Sequence, residues 1–127
     1  MSILTDAEPM TFVLTADRAK SRPFYEDVLG LRVVGEDDFA VTFRLANGTP
    51  LRLTSLPGHV PSDHTVLGWT VSDIAAAVAE LKGKGVAMNI YEGFGQDEDG
   101  IWHAPDRSAK LVWFNDPEGN VLSVKQG

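Results

Sequence analysis

A chain of 127 residues is long enough for one domain with a real hydrophobic core. Its 18 acidic and 11 basic residues give a formal charge of −7, and without a basic stripe this balance argues against nucleic-acid binding. The absence of cysteine excludes disulfides, thiolate nucleophiles and cysteine-based zinc sites. No apolar run could span a membrane, and residues 1–9 lack the features of a signal peptide, so we expect a cytoplasmic protein with a short N-terminal lead-in.

The first half of the chain predicts the order strand, helix, three strands. Its helix ends at Gly30, and we place Pro23 in the first turn with Ser21 as N-cap, because proline inside a helix costs about 3 kcal/mol. The turn at Asn47-Gly48 separates two strands of a hairpin. The predicted strands are residues 12–17, 31–34, 41–45 and 51–54.

The second half repeats this order. Asp73 or Ser72 is expected to cap a helix over residues 74–82 by accepting hydrogen bonds from unpaired backbone N–H groups. Glu80 and Lys84, four residues apart, support its end. The predicted strands are residues 67–73, 85–88, 111–114 and 121–125.

Aligning Gly48 with Gly119 pairs Arg52 with Ser123 and matches the apolar residues around them. The sequence therefore predicts an α+β fold of two repeated βαβββ units. The predicted units are about residues 10–56 and 64–126 of a single domain that spans residues 1–127.

Three short motifs point to a family. With the repeat, they resemble the vicinal oxygen chelate superfamily, which includes glyoxalase I, extradiol dioxygenases, and the bleomycin- and fosfomycin-resistance proteins. The motifs are Phe24-Tyr25, Leu29-Gly30-Leu31 and Asp116-Pro117-Glu118-Gly119-Asn120. The resemblance covers roughly residues 10 to 126 and implies two units that form a curved mixed sheet around a cavity. It leaves the function open, because this fold hosts many functions.

The resemblance also implies four inward positions that hold a metal ion in metal-using relatives, typically with two His or Gln and two Glu side chains. By motif spacing they fall on Met10, Arg52, Val66 and Ser123. None of these is a suitable charged donor for a divalent ion, and Arg52 would place positive charge at the ion's position. We therefore predict no metal and no cofactor. The histidines at 59, 64 and 103 are interpreted as linker or surface residues.

Alternation along the strands predicts which side chains face the cavity. Leucines 51 and 53 belong under the helix, so Arg52 faces the other way. Because none of the assigned inward positions is an acid, Arg52 is predicted to anchor an anionic ligand. The alternatives are an exposed charge or a bridge to an acid. The predicted ligand-binding residues are Met10, Phe12, Arg44, Arg52, Thr54, Val66, Trp102, Trp113 and Ser123, and no catalytic residue is assigned.

A loop over residues 91–109 is longer than usual and contains three aromatic residues. It is predicted either to act as a lid or partner contact, or to be a surface excursion pinned by Trp102. Its acidic stretch Asp97-Glu98-Asp99-Gly100 lacks the alternating spacing of a calcium loop.

Two functions compete. The leading hypothesis is a metal-free protein that binds a small molecule, with an anionic ligand favoured by Arg52. The alternative is a lyase, isomerase or dioxygenase of the same superfamily with a relocated or non-metal active site. We also expect a homodimer, because sheet edges need cover, and neither a nucleic-acid nor a membrane partner.

Overall fold

The computed structural model describes residues 2–127, so Met1, the first residue of the predicted lead-in, lies outside the described residues. The chain divides into two compact units, the first ending at Val60 and the second spanning Pro61–Gly127. Each unit contains a four-stranded mixed sheet and one α-helix, which confirms the predicted α+β class. Within the described chain, neither helix is long and apolar enough to cross a membrane.

Unit one has the predicted order of strand, helix and three strands. Its sheet order is β1-β4-β3-β2, in which β1 runs parallel to β4 and the other neighbours are antiparallel. A 3-10 turn at Ile3–Thr5 precedes the sheet. The elements are β1 (Thr11–Thr15), α1 (Arg18–Pro23), a π-helical segment (Phe24–Val28), β2 (Arg32–Glu36), β3 (Ala40–Arg44) and β4 (Pro50–Ser55).

The predicted start of the first helix is wrong. The helix is capped by Asp17, whose carboxylate accepts a hydrogen bond from the Lys20 backbone N–H at 3.3 Å. Ser21 is buried, and its hydroxyl is hydrogen-bonded to that of Thr15 at 2.9 Å. Pro23 is therefore the last residue of α1, where the helix widens into the π-helical segment.

Unit two follows the same order, with a sheet in the order β5-β8-β7-β6. The predicted cap is confirmed, because the Asp73 carboxylate accepts a hydrogen bond from the Ala76 backbone N–H at 3.1 Å. The predicted pair of Glu80 and Lys84 is present at 3.5 Å. The elements are β5 (Thr65–Thr70), α2 (Ile74–Gly83), β6 (Trp102–His103), β7 (Lys110–Asn115) and β8 (Val121–Gln126).

The strand predicted at residues 85–88 is absent from the described residues. Only an isolated bridge from Met88 to Phe114 forms there, after Gly85 ends the helix with a φ of 87°. The edge position next to β7 is taken by β6, which lies within the predicted loop and pairs Trp102 with Leu111.

Each helix packs on one face of its own sheet, and the apolar strand residues point towards it. The register pairs Phe43 with Leu51 in unit one and Phe114 with Leu122 in unit two. All four side chains are fully buried. The same register places Thr42 opposite Arg52, and Trp113 opposite Ser123. These latter residues lie on the face away from the helix, called the open face below.

Candidate functional site

Three aromatic rings meet at the open face of unit two. Trp113 projects from β7, while Tyr91 and Phe94 come from the loop that precedes β6. The ring of Trp113 lies 5.5 Å from that of Tyr91 and 5.8 Å from that of Phe94, both close to perpendicular. The rings of Tyr91 and Phe94 are 5.4 Å apart. These are favourable edge-to-face distances, so the rings form one cluster.

The loop that carries two of these rings is held by the side-chain amide of Gln96. Its oxygen accepts a hydrogen bond from the Tyr91 backbone N–H at 2.7 Å. Its nitrogen donates to the carbonyls of Asn89 at 2.9 Å and Gly100 at 2.7 Å. One glutamine therefore joins both ends of the segment and fixes the position of the rings.

Asp97 makes a second set of bonds inside the same loop. Its carboxylate accepts hydrogen bonds from the backbone N–H groups of Asp99 and Ile101, both at 2.9 Å, and pairs with His103 on β6 at 2.9 Å. Burial opposes ionisation of Asp97, but the hydrogen bond from His103 and those from the backbone outweigh it, so the pKa of Asp97 lies below its usual range. The acidic stretch thus serves as a turn tied to β6.

Acid should loosen this loop. Because the pKa of Asp97 is lowered by folding, the unfolded chain takes up the proton at higher pH than the folded chain. The stability that Asp97 contributes is therefore present at neutral pH and is lost as the pH falls through and below about 4, the ordinary aspartate range. Urea unfolding at a series of pH values should show a shallower acid loss for Asp97→Asn than for the wild type. The neighbouring Glu98→Gln is the control and should follow the wild type; identical slopes for Asp97→Asn and wild type would contradict the assignment.

Two clefts flank the aromatic cluster. One has a volume of about 320 Å³ and presents the three rings, and the other, of about 440 Å³, presents polar amides. Asp63, Tyr91 and Val121 line both. The first, called the aromatic cleft, is lined by Asp63, His64, Thr65, Tyr91, Phe94, Trp113 and Val121. The second, called the amide cleft, is lined by Pro61, Ser62, Asp63, Asn89, Ile90, Tyr91, Asn115, Gly119 and Val121.

The polar character of the amide cleft comes from two asparagines. The Asn89 side chain donates to the side-chain oxygen of Asn115 and, at 3.4 Å, to the hydroxyl of Tyr91. Asn115 in turn donates to the Gly119 carbonyl at 3.5 Å. The Tyr91 hydroxyl thereby links the aromatic cluster to a neutral hydrogen-bonding surface.

Of the four residues of unit two that were predicted to bind a ligand, Trp113 lines the aromatic cleft and the other three do not. Trp102 is half-buried on β6. Val66 is half-buried where the pairing of β5 with β8 becomes irregular. Ser123 is only 9% exposed, because it lies against Gly68: a Cβ at that glycine would be 2.8 Å from the serine hydroxyl.

In unit one, the apolar residues that were predicted to contact a ligand lie on the surface. Met10 and Phe12 are 49% and 51% exposed. The polar side chains that were predicted to contact a ligand already form hydrogen bonds or ion pairs within the unit. The Thr54 hydroxyl donates to the Arg52 carbonyl at 3.0 Å, and Arg44 donates to the Gly48 carbonyl at 2.7 Å and pairs with Glu8 at 3.7 Å.

The expectation that Arg52 faces no acid is wrong. Its guanidinium pairs with Asp37 at 3.3 Å. Hydrogen bonds from the backbone N–H groups of Phe39 and Ala40, followed by the one from Arg52, keep the pKa of Asp37 below its usual range. Asp37 lies in the turn between β2 and β3, so strand alternation could not reveal it. The guanidinium charge is therefore partly neutralised by the protein itself.

The side chains at the four positions where the family resemblance implies a metal ion cannot bind such an ion. Met10, Arg52, Val66 and Ser123 offer no carboxylate or imidazole. The observed register places Phe12 opposite Arg52 and Gly68 opposite Ser123, and neither supplies a donor. Across residues 2–127, no three His, Asp or Glu side chains come together as a ligand set.

Several cleft residues were missed by sequence reasoning. Asp63 precedes β5, and Asn89 and Asn115 look like ordinary loop or strand-end residues. Tyr91 and Phe94 belong to the loop whose length and aromatic content were the available signal. Their convergence on Trp113 depends on the bonds of the Gln96 side chain, which no spacing in the sequence predicts.

The sequence profile of the Glyoxalase/Bleomycin resistance protein/Dioxygenase superfamily matches residues 9–124, and the chain belongs to this superfamily. Similar solved structures include a lactoylglutathione lyase from Agrobacterium tumefaciens, with 18% identity, a TM-score of 0.71, and coverage of 96% of this chain and 94% of that one. The fosfomycin resistance protein FosX from Listeria monocytogenes has 10% identity and a TM-score of 0.72, with 96% and 93% covered.

An antibiotic binding protein, TnmS3 from Streptomyces sp. CB03234, is similar at 19% identity and a TM-score of 0.67, with 95% of this chain and 97% of that one covered. No curated protein matches by sequence. At these identities the likeness shows the fold alone.

Proposed function

We propose that this protein binds a small organic molecule without a divalent metal at the family's metal position, and that its two units act as one ligand-binding domain. The observation that carries the proposal is the aromatic cleft of unit two, with three mutually packed rings beside a volume of about 320 Å³. The superfamily profile spans both units, which supports treating them as one domain.

The cleft has the properties of a ligand site. Small-molecule sites are concave, mostly apolar and largely preformed, with a few placed polar groups. Here Phe94 is half exposed although it belongs to an internally bonded loop, so ring surface remains accessible to a ligand. Because Gln96 and Asp97 already order the loop, less conformational entropy is lost when a ligand binds.

The other predicted contacts are part of the same proposal. Met10 and Phe12 offer apolar surface in unit one, and Arg52 offers a planar guanidinium whose charge is shared with Asp37. That pairing removes the premise for an anionic ligand. Each unit is proposed to offer its own contacts to a ligand: Met10, Phe12, Arg44, Arg52 and Thr54 in unit one, and Val66, Trp102, Trp113 and Ser123 in unit two.

We also propose a cytoplasmic homodimer. Each sheet ends in edge strands, and exposed sheet edges are commonly covered by another chain. The half-exposed apolar side chains of unit one would gain from the same cover.

A second candidate function is an enzyme of the same superfamily with a non-metal active site. The observation in its favour is His64, which lines the aromatic cleft next to Asp63. The His64 side chain would be within reach of a molecule bound in this cleft and would serve as a general base. In this case His64→Ala would abolish turnover of a bound ligand, whereas a binding protein would show no turnover with either chain.

Ligand binding should depend on Trp113. In a thermal-shift screen of small aromatic metabolites, a ligand at a hundred times its Kd should stabilise the wild type by about 2.7 kcal/mol. Trp113→Ala removes the largest ring of the cleft, so a Kd weakened two- to tenfold should lower this stabilisation to about 1.4–2.3 kcal/mol. Phe39→Ala, which removes an aromatic side chain that is 69% exposed and outside both clefts, should keep it. Equal shifts for Trp113→Ala and the wild type would remove the aromatic cleft as the binding site.

A further inference from the structure

We propose that the ligand of unit two is an organic cation: a planar aromatic group in the aromatic cleft, joined to a protonated amine that pairs with Asp63. This inference names the ligand class of the proposed function and rests on it. Three observations carry it: the arrangement of the rings, the charge of the residues that line the clefts, and the hydrogen-bonding groups next to them.

The ring arrangement suits a planar group. Trp113 stands nearly perpendicular to both Tyr91 and Phe94, at interplanar angles of 81° and 79°. The three rings therefore turn differently oriented surfaces towards the cleft, and a flat ligand can stack on one while it meets the edge of another. Such contacts depend on the π-face of the ligand, so a saturated ring of similar size should bind less well.

The charge of the clefts favours a cation. Asp63 is exposed and lines both clefts, and no lysine or arginine is among the described residues that line either. The formal charge of −7 adds a long-range potential of the same sign. The faces of Trp113 and Phe94 attract a cation as well, through their ring quadrupoles. An anion would meet the carboxylate of Asp63, and His64 is the one basic side chain among the described residues that line the aromatic cleft.

The amide cleft offers a place for polar groups beyond the amine. Asp63 and Tyr91 border both clefts, so a ligand anchored between them reaches the side chains of Asn89 and Asn115. These amides are neutral. Both N–H groups of Asn89 are used by Asn115 and Tyr91, so Asn89 offers its side-chain oxygen as an acceptor, whereas Asn115 has a second N–H group and can both donate and accept. They suit hydroxyl, amide or ether groups on the remainder of the ligand.

The test uses four probes that separate ring from charge: naphthylmethylamine, naphthylmethanol, naphthylacetate and cyclohexylmethylamine. Their Kd values for the full chain are measured by ligand-observed NMR titration at neutral pH and low salt. The amine should bind about two- to fivefold more tightly than the alcohol, as expected for an ion pair at an exposed carboxylate. Naphthylacetate and cyclohexylmethylamine should both bind more weakly than naphthylmethylamine.

Three variants assign the preference for positive charge to Asp63 and the preference for an aromatic ring to Trp113. Asp63→Asn should remove the preference for the amine over the alcohol. Asp38→Asn makes the same change in net charge at an exposed position of unit one, and should keep the preference. Trp113→Ala should weaken the binding of naphthylmethylamine and naphthylmethanol by about two- to tenfold.

The outcomes separate the inference from the function on which it rests. If amine and alcohol bind equally, or if Asp63→Asn keeps the preference, the cationic class is overturned while Trp113-dependent binding still supports the proposed function. If naphthylacetate binds as tightly as the amine, the ligand class is also overturned. If no naphthyl probe shows binding that depends on Trp113, the inference and the aromatic cleft as ligand site fail together.

Discussion

Asp116→Ala should lower the free energy of unfolding by about 3 kcal/mol or more. The Asp116 carboxylate is buried and accepts hydrogen bonds from the backbone N–H groups of Glu118 and Asn120, both at 2.9 Å. It also accepts one from the Asn120 side chain at 2.8 Å. Alanine would leave these donors without an acceptor, at about 1–3 kcal/mol for each that stays buried. Chemical denaturation, with the midpoint and slope fitted together, measures the loss.

Asp106→Ala is the matched control. Asp106 makes the same type of turn, accepting from the Ser108 backbone N–H at 3.0 Å, but it is exposed. Water can replace its carboxylate, so the loss should stay below about 1 kcal/mol. A loss for Asp116→Ala no larger than that for Asp106→Ala would show that the turn between β7 and β8 is not held by these buried hydrogen bonds.

Gly100→Ala should destabilise the loop that carries the aromatic cluster, with a loss of about 2–5 kcal/mol. The backbone at Gly100 has a φ of 86°, which costs a non-glycine residue about 1–2 kcal/mol. An added Cβ would also stand 2.8 Å from the Cβ of Met88, which is attached directly to the backbone and cannot swing away. Relief of this overlap adds about 1–3 kcal/mol. The change would also disturb the Gly100 carbonyl that binds Gln96.

Gly93→Ala is the control that separates the steric overlap at Gly100 from the cost of a positive φ. Gly93 lies in the same loop with a φ of 87°, but nothing lies within 4 Å of the Cβ position. It should show only the cost of the backbone conformation, about 1–2 kcal/mol. The difference in unfolding free energy between the two variants then measures the overlap with Met88. Equal losses would contradict the close packing of the loop.

The fold could be predicted largely from the sequence because its signals are local. Alternating apolar residues identified the strand pairs, and the turns at Gly48 and Gly119 set the two registers, which pair Thr42 with Arg52 in unit one and Trp113 with Ser123 in unit two. The helix cap at Asp73 was also readable. The first helix was misplaced because Ser21 looked like a cap, whereas its hydroxyl is used in the interior by Thr15.

The site was less predictable because it depends on contacts between residues distant in sequence. Arg52 was identified on the open face, but its partner Asp37 comes from a turn whose direction is set by hydrogen bonds to residues 39 and 40. Trp113 was identified, but the two rings that pack on it come from a loop fixed by Gln96. Strand periodicity predicts which face of a sheet a side chain occupies. It does not predict how an irregular loop folds over that face.

The superfamily's name joins glyoxalases and dioxygenases with a resistance protein, so membership leaves the function of this chain open. The side chains at the implied metal positions support the proposed metal-free binding. An arginine paired with an aspartate occupies one position, and apolar or hydroxyl side chains occupy the others. Binding through ring surface and one carboxylate, as proposed for unit two, needs no ion. A protein that acts in this way should retain its ligand in chelator.

The metal content of the protein, purified without chelator, tests the central claim most directly. Elemental analysis by mass spectrometry, with protein concentration from amino-acid analysis, gives the number of ions per chain. We expect amounts of nickel, zinc, manganese, iron and cobalt far below one ion per chain, because Met10, Arg52, Val66 and Ser123 cannot supply the charged donors that such ions need. One equivalent of a single metal, lost in chelator together with ligand binding, would contradict the account.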